Sequence, residues 1–103
     1  MAMEVVVLVE FEAGQTPAYD ALLERVGALT LTGQGKLSFV GSQPAGQGRA
    51  ACDIVAVGLA RAAAAPGLLE RWRSEGVLAA STSARILTVR PIWSMEPLAL
   101  MFP

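Results

Sequence analysis

Histidine is absent from all 103 residues, and that one gap removes more chemistry than any other feature of the chain. Serine and cysteine nucleophiles driven by histidine, His-ligated zinc, the two-histidine iron triad and histidine-held haem all require the missing side chain. A homo-oligomer does not restore it. Asparagine is also missing, so there is no acceptor for N-linked glycosylation. The single cysteine, Cys52, excludes an internal disulfide and any paired-cysteine metal knuckle. Basic residues number 8 against 9 acidic ones, a net charge of −1, so there is no general electrostatic grip on nucleic acid or on an acidic membrane. No apolar run approaches the roughly 20 residues of a membrane-spanning helix. The opening MAMEVVVLVE carries Glu4 where a secretory signal is basic. The expectation is a soluble, cytoplasmic protein that needs no cofactor.

What the chain has in quantity is apolar surface. Hydrophobic residues make up 53% of it, which is more than one small domain readily hides and favours pairing with a second copy. Eighteen of those residues are alanine, so the core is lighter than the percentage implies. The length allows one domain, placed at 1–92, with the apolar, proline-punctuated stretch 93–103 as a tail packing on a partner or over a cavity.

Residues 5–12 (VVVLVEFE) are β-branched and alternating, which predicts a strand. Thr16 and Pro17 offer an N-cap and a first helical position. Tyr19, Leu22, Leu23, Val26 and Leu29 then recur at helical spacing until Gly33 and Gly35. Further strands are expected over 36–42 (KLSFVGS), 52–59 (CDIVAVGL) and 85–92 (RILTVRPI). A second helix is expected from Pro66 to Gly76, because Pro66 disfavours helical geometry at Ala65. The order β-α-β-β-α-β is that of a ferredoxin-like α+β fold, a four-stranded antiparallel sheet with both helices on one face.

Alternation sorts the strands into two faces. One face takes Val5, Val7, Val9 and Phe11, with Leu37, Phe39, Val55, Val57, Leu59, Leu87 and Val89. The other takes Val6, Leu8, Glu10 and Glu12, with Ser38, Val40, Ile54, Ala56, Gly58, Ile86, Thr88 and Arg90. The first suits packing under helices. The second is too polar for a dry core and too apolar for free solvent, as the lining of a shared cavity would be. Ser38, Ala56, Gly58 and Thr88 are its candidate ligand-binding positions.

Glu10 and Arg90 are the candidate catalytic pair. A carboxylate facing an apolar cavity holds its proton more tightly and becomes a base near neutrality, while a guanidinium stabilises a developing oxyanion. The plainer alternatives are a strand-end acid in water and an intersubunit salt bridge. Side-by-side antiparallel pairing of the first and last strands places Glu10 near Ile86 and Arg90 near Val6. Tyr19 and Trp72 read as core residues, Cys52 as a small buried hydrophobe, and Glu4 and Asp53 as surface or interface charges. Arg71 and Arg73 read as solvated residues flanking Trp72. Thr30–Leu37 fails as a phosphate loop at both ends, and Gly46–Ala51 leads into a strand rather than a helix, so neither binds a nucleotide.

The opening run to Gln43, with its valine-rich strand, threonine-proline helix entry and glycine-rich step into a second strand, resembles DUF1330-type proteins. ERWRSEGV resembles the same family's aromatic-x-Ser stretch and ARILTVRP its closing strand. Thr16 stands where that family usually has Asp, and Val77 where an aromatic is common. The resemblance implies a dimeric α+β barrel, in which two sheets pair to enclose a cavity. It therefore implies a homodimer that binds a small hydrophobic or aromatic metabolite, either as a cofactor-independent isomerase, cyclase or monooxygenase or as a non-catalytic binding or regulatory module.

Overall fold

The computed structural model describes residues 3–79 and 82–89. Four strands and two helices follow the expected order: β1 (Val5–Glu12), α1 (Thr16–Leu31), β2 (Gly35–Gln43), β3 (Cys52–Leu59), α2 (Ala65–Ser74) and β4 (Ser83–Thr88), with a single 3-10 turn over Ala62–Ala64 leading into α2. The strands lie in the order β2-β3-β1-β4 and every neighbouring pair is antiparallel. This is the ferredoxin-like α+β arrangement.

The core forms where β-branched alternation meets two helical stripes. Val5, Val7, Val9 and Phe11 of β1 and Val55, Val57 and Leu59 of β3 are buried on one side of the sheet. Leu22, Val26 and Leu29 of α1 close over them, as do Ala65, Leu68 and Trp72 of α2. Full burial of a valine or leucine is worth about 1.5–3 kcal/mol, so these central positions dominate stability. Tyr19 is partly buried against the same cluster, in keeping with its reading as a core residue.

Both helices end on glycines in the left-handed region. At α1, Gly33 has φ 71° and the bonds Gly33 N–H to Thr30 and Gln34 N–H to Leu29 form a Schellman closure. At α2, Gly76 has φ 78°, with Gly76 N–H to Arg73 and Val77 N–H to Trp72. The helix starts differ from expectation. α1 is capped from Gln15, one residue earlier than predicted. Ala65 adopts αR geometry (φ −63°, ψ −48°) despite the following proline. The first helical turn has no use for a proline N–H, and Ala65 is fully buried, so packing overrides the local steric bias.

Two register details revise the predicted faces. Ser38 is the extra residue of a bulge: Leu37 pairs with Val57 but Phe39 pairs with Ala56. Phe39 therefore moves to the helix-free face and Val40 to the helix-bearing one. β4 begins at Ser83 rather than Arg85, and its pairing with β1 sets Val5 opposite Thr88, Val7 opposite Ile86 and Glu10 opposite Ser83. Relative to the expected pairing this is a slip of three residues. An odd slip turns every side chain of a strand over. Arg85 and Leu87 thus face away from the helices, and Ile86 and Thr88 face toward them.

Gly35 and Gly58 test these contacts in opposite ways. A Cβ on Gly35 would stand 2.8 Å from the Gly58 carbonyl oxygen and 3.1 Å from Leu59 Cδ2, both fixed in the sheet. A Cβ on Gly58 would meet the far end of the Met3 side chain, which can swing away. Gly35→Ala is expected to cost about 1–3 kcal/mol in urea denaturation, and Gly58→Ala less than about 1 kcal/mol. Equal costs would contradict the placement of Met3.

Candidate functional site

The helix-free face is built in rows across the sheet, because directly paired residues share a face. Leu87, Val6, Gly58 and Lys36 form one row; Arg85, Leu8, Ala56 and Phe39 form the next. Ser83, Glu10, Ile54 and Gly41 make the third, and Glu12, Cys52 and Gln43 the last. Its apolar members are only partly covered. Phe39 is 56% exposed and Leu87 45% exposed on the two edge strands, while Val6, Leu8 and Ile54 of the central strands are half-buried. Between them the surface is cut back to the small side chain of Ala56. The Phe39 ring lies over Gly41, close enough that a Cβ there would stand 2.6 Å from its Cζ.

At the end of this face where β1 finishes, Glu10, Gln43, Arg49, Cys52, Ser83 and Arg85 surround an open cleft of about 490 Å³. The ionic centre of the cleft is Arg85 Nη2 donating to Glu10 Oε1 at 3.2 Å. The two side chains are 59% and 36% exposed, so the bond is a wet one in a single protomer. Cys52 is partly buried and its thiol points at Gln43 Oε1, 3.8 Å away. The cleft therefore offers a carboxylate, two guanidiniums, an amide, a thiol and a hydroxyl around one opening.

The predicted site residues fare unequally. Glu10 lies on the expected face. Its expected neighbour Ile86 is replaced by Ser83, and its ionic partner is Arg85. Arg90 lies outside the described residues, as does the tail 93–103. Ala56 is on the helix-free face but only 4% exposed, sunk between Leu8 and Phe39. Gly58 is also on that face. The space in front of it, assigned to a ligand from the sequence, is filled by the side chain of Met3, and Ser38 Oγ donates to Met3 Sδ at 3.5 Å. Thr88 is the clear correction: the β4 register puts it opposite Val5, on the helix-bearing side.

Arg85 is the residue the sequence reading missed. A signal for it exists, since opposite charges are favoured on adjacent strands of one face and Glu10 lies there beside Leu8 and Ile54. Choosing the register that brings an arginine beside Glu10 selects Arg85. Some of the other charges have local duties. Glu4 Oε1 accepts from Ala62 N–H at 2.9 Å, and Asp53 Oδ1 from Ser42 Oγ at 2.8 Å. Arg73 is no idle solvated residue, for it donates to the carbonyls of Ala79 and Thr82 and so steadies the approach to β4. Among the described residues no group of three His, Cys, Asp or Glu side chains is placed to hold a metal ion, and no helix is long and apolar enough to cross a membrane.

Comparison of the chain with protein-family models, curated proteins and solved structures gives no match.

An exposed ion pair of this geometry is worth less than about 1 kcal/mol. Arg85→Gln and Glu10→Gln are each expected to leave the urea midpoint of the folded chain nearly unchanged. A loss above 2 kcal/mol in either would mean that the pair is a structural brace and not an available polar site.

Proposed function

We propose that the chain is a small-molecule-binding protein that works as a homodimer, two copies setting their helix-free faces together around a cavity in the manner of a dimeric α+β barrel. The observation that carries this reading is the partly uncovered apolar face itself: Val6, Leu8, Phe39, Ile54 and Leu87 around the small residue Ala56, which lies below them. A flat apolar face would dock and leave no room. A recessed one docks at its rim and keeps a hollow. The resemblance to DUF1330-type proteins supports the same arrangement, and the apolar lining with few polar groups suits a small hydrophobic or aromatic metabolite.

Within that cavity the Glu10–Arg85 pair supplies the polar chemistry. A ligand carbonyl accepting from Arg85 draws the guanidinium off Glu10, and the freed carboxylate is then placed to take a proton from the carbon next to that carbonyl. The resulting oxyanion stays beside the guanidinium. This assigns Glu10 the role of base and gives Arg85 the electrostatic role that the sequence reading placed on Arg90. It is a cofactor-independent isomerase type of chemistry. The second reading, a binding or regulatory module without turnover, is favoured by one specific feature, the bond that already occupies Glu10 in the free chain. A cytoplasmic location accords with both.

Leu87→Asp places a charge on the rim of the face at a position already 45% exposed, so the folded protomer tolerates it. The variant is expected to sediment as a monomer while keeping the circular dichroism of the parent, which sediments as a dimer. A parent that is monomeric at all concentrations up to the millimolar range would overturn the proposal. Glu10→Gln separates the two readings: ligand affinity changes by less than about threefold in both, but only an enzyme loses turnover, by about a hundredfold or more.

A further inference from the structure

On the other side of the sheet, α1 and α2 lean apart and leave a groove whose occupant no part of the dimer reading explains. Its wider lobe has a volume of about 390 Å³, with Leu29, Leu59 and Leu68 among its apolar lining and Gln34, Arg61 and Arg71 among its polar lining. A second lobe of about 210 Å³ continues it along the helices and shares Leu29, Leu68 and Arg71 with the first. Trp72 borders this narrower part. The far end is crossed by a strap, Arg25 Nη1 of α1 reaching both carboxylate oxygens of Glu75 at 3.2 and 3.3 Å. The groove is thus open at its wide lobe, which Arg61 and Arg71 both line, and tied at the other end, where Arg71 also lines the narrow lobe.

The charge of that mouth is set by its side chains. α1 ends and α2 begins there, so the two helix dipoles oppose one another and largely cancel. The backbone donors at the mouth are already used: Gly33 N–H bonds to Thr30, Gln34 N–H to Leu29, Ala60 N–H to Gln34 and Ala64 N–H to Arg61. Thr32 Oγ1 is likewise committed to the carbonyls of Ala28 and Leu29. What remains is two guanidiniums and the side-chain amide of Gln34. Among the described residues neither Arg61 nor Arg71 has an acidic partner, in contrast to Arg25 and Arg85. An apolar trough with two cations at its entrance is complementary to an anionic head on an apolar body.

We infer that the groove between α1 and α2 binds a small amphipathic anion, a carboxylate or phosphate on an aliphatic or aromatic body, with the head held by Arg61 and Arg71 and the body lying over Leu29, Leu59 and Leu68. The site lies on the helix-bearing side, remote from the face used for dimerisation, and does not depend on that reading. It gives the protein a second binding surface whose ligand is sensed by α2.

The probes are octanoate, octyl phosphate and uncharged octanol, titrated into the full chain carrying Trp93→Phe, which leaves Trp72 as the sole tryptophan. Octanoate or octyl phosphate is expected to change Trp72 fluorescence saturably, and the stronger of the two identifies the head group. Octanol at the same concentrations is expected to leave it unchanged. Arg61→Gln and Arg71→Gln should each weaken the anion by roughly three- to tenfold, as exposed charge contacts do. Ala64 is exposed at the wide lobe, so Ala64→Phe fills the entrance without touching the core and should abolish the response. Octanol binding as tightly as the anions, indifference to both arginine substitutions, or a response that survives Ala64→Phe would each overturn the assignment. So would the absence of any response. The same titration on Leu87→Asp keeps the two proposals apart: binding that persists in a monomer belongs to the groove.

Discussion

A sheet has two faces, and this chain supplies helices for only one of them. That constraint organises the molecule. Val5, Val7, Val9 and Phe11 of β1 and Val55, Val57 and Leu59 of β3 point one way, and α1 and α2 cover them. The even-numbered residues of the same strands include Val6, Leu8 and Ile54, which no helix of the described chain covers. Hydrophobic burial is proportional to area removed from water, so the uncovered face is a standing driving force for association. Everything argued about dimerisation and about the Glu10–Arg85 cleft starts from that imbalance.

The polar features of the open face gain meaning from the same geometry. In one protomer the Glu10–Arg85 bond is exposed and contributes little. Enclosed by a second sheet, the same two groups would interact in a medium of lower dielectric, where a fixed charge acts more strongly on a bound carbonyl. The bulge at Ser38 contributes as well. By turning Phe39 onto the open face it raises a rim beside Ala56, and the hollow is the difference in height between the two. Met3 closes the hollow at its Gly58 end, which shifts the accessible part toward Ile54, Glu10 and Cys52.

The groove between the helices arises from a different economy. α1 and α2 both pack on the sheet and share its apolar core, and Arg25 and Glu75 join their flanks above it. A cleft between two helices held by one exposed salt bridge is open to small molecules by construction. Its position on the covered side leaves each of the two proposed binding surfaces independent of the other.

How far the sequence foretold this differs from strand to strand. β1 and β3 were legible to the residue, since their alternation of β-branched side chains admits one pairing of faces. The glycine stops of both helices were legible for an equally local reason, the left-handed closure that Gly33 and Gly76 permit. β2 and β4 were not. Phe39 and Val40 are adjacent apolar residues, and alternation alone does not say which is turned inward when a bulge intervenes. Ser83 and Ala84 are indifferent strand formers, so the start of β4 carries no local mark; the slip of three residues carried Thr88 off the site and brought Arg85 onto it. Edge strands are fixed by long-range pairing, and that is where local reasoning runs out.

The most direct test of the account is solvent access to the methyl groups of Leu8 and Ile54, read by NMR with a soluble paramagnetic probe at several protein concentrations. Leu31, 90% exposed on α1, serves as the internal reference. The account predicts that Leu8 and Ile54 are shielded at high concentration and become accessible on dilution, with Leu31 accessible throughout. Relaxation of Leu8 and Ile54 as strong as that of Leu31 at every concentration would contradict it.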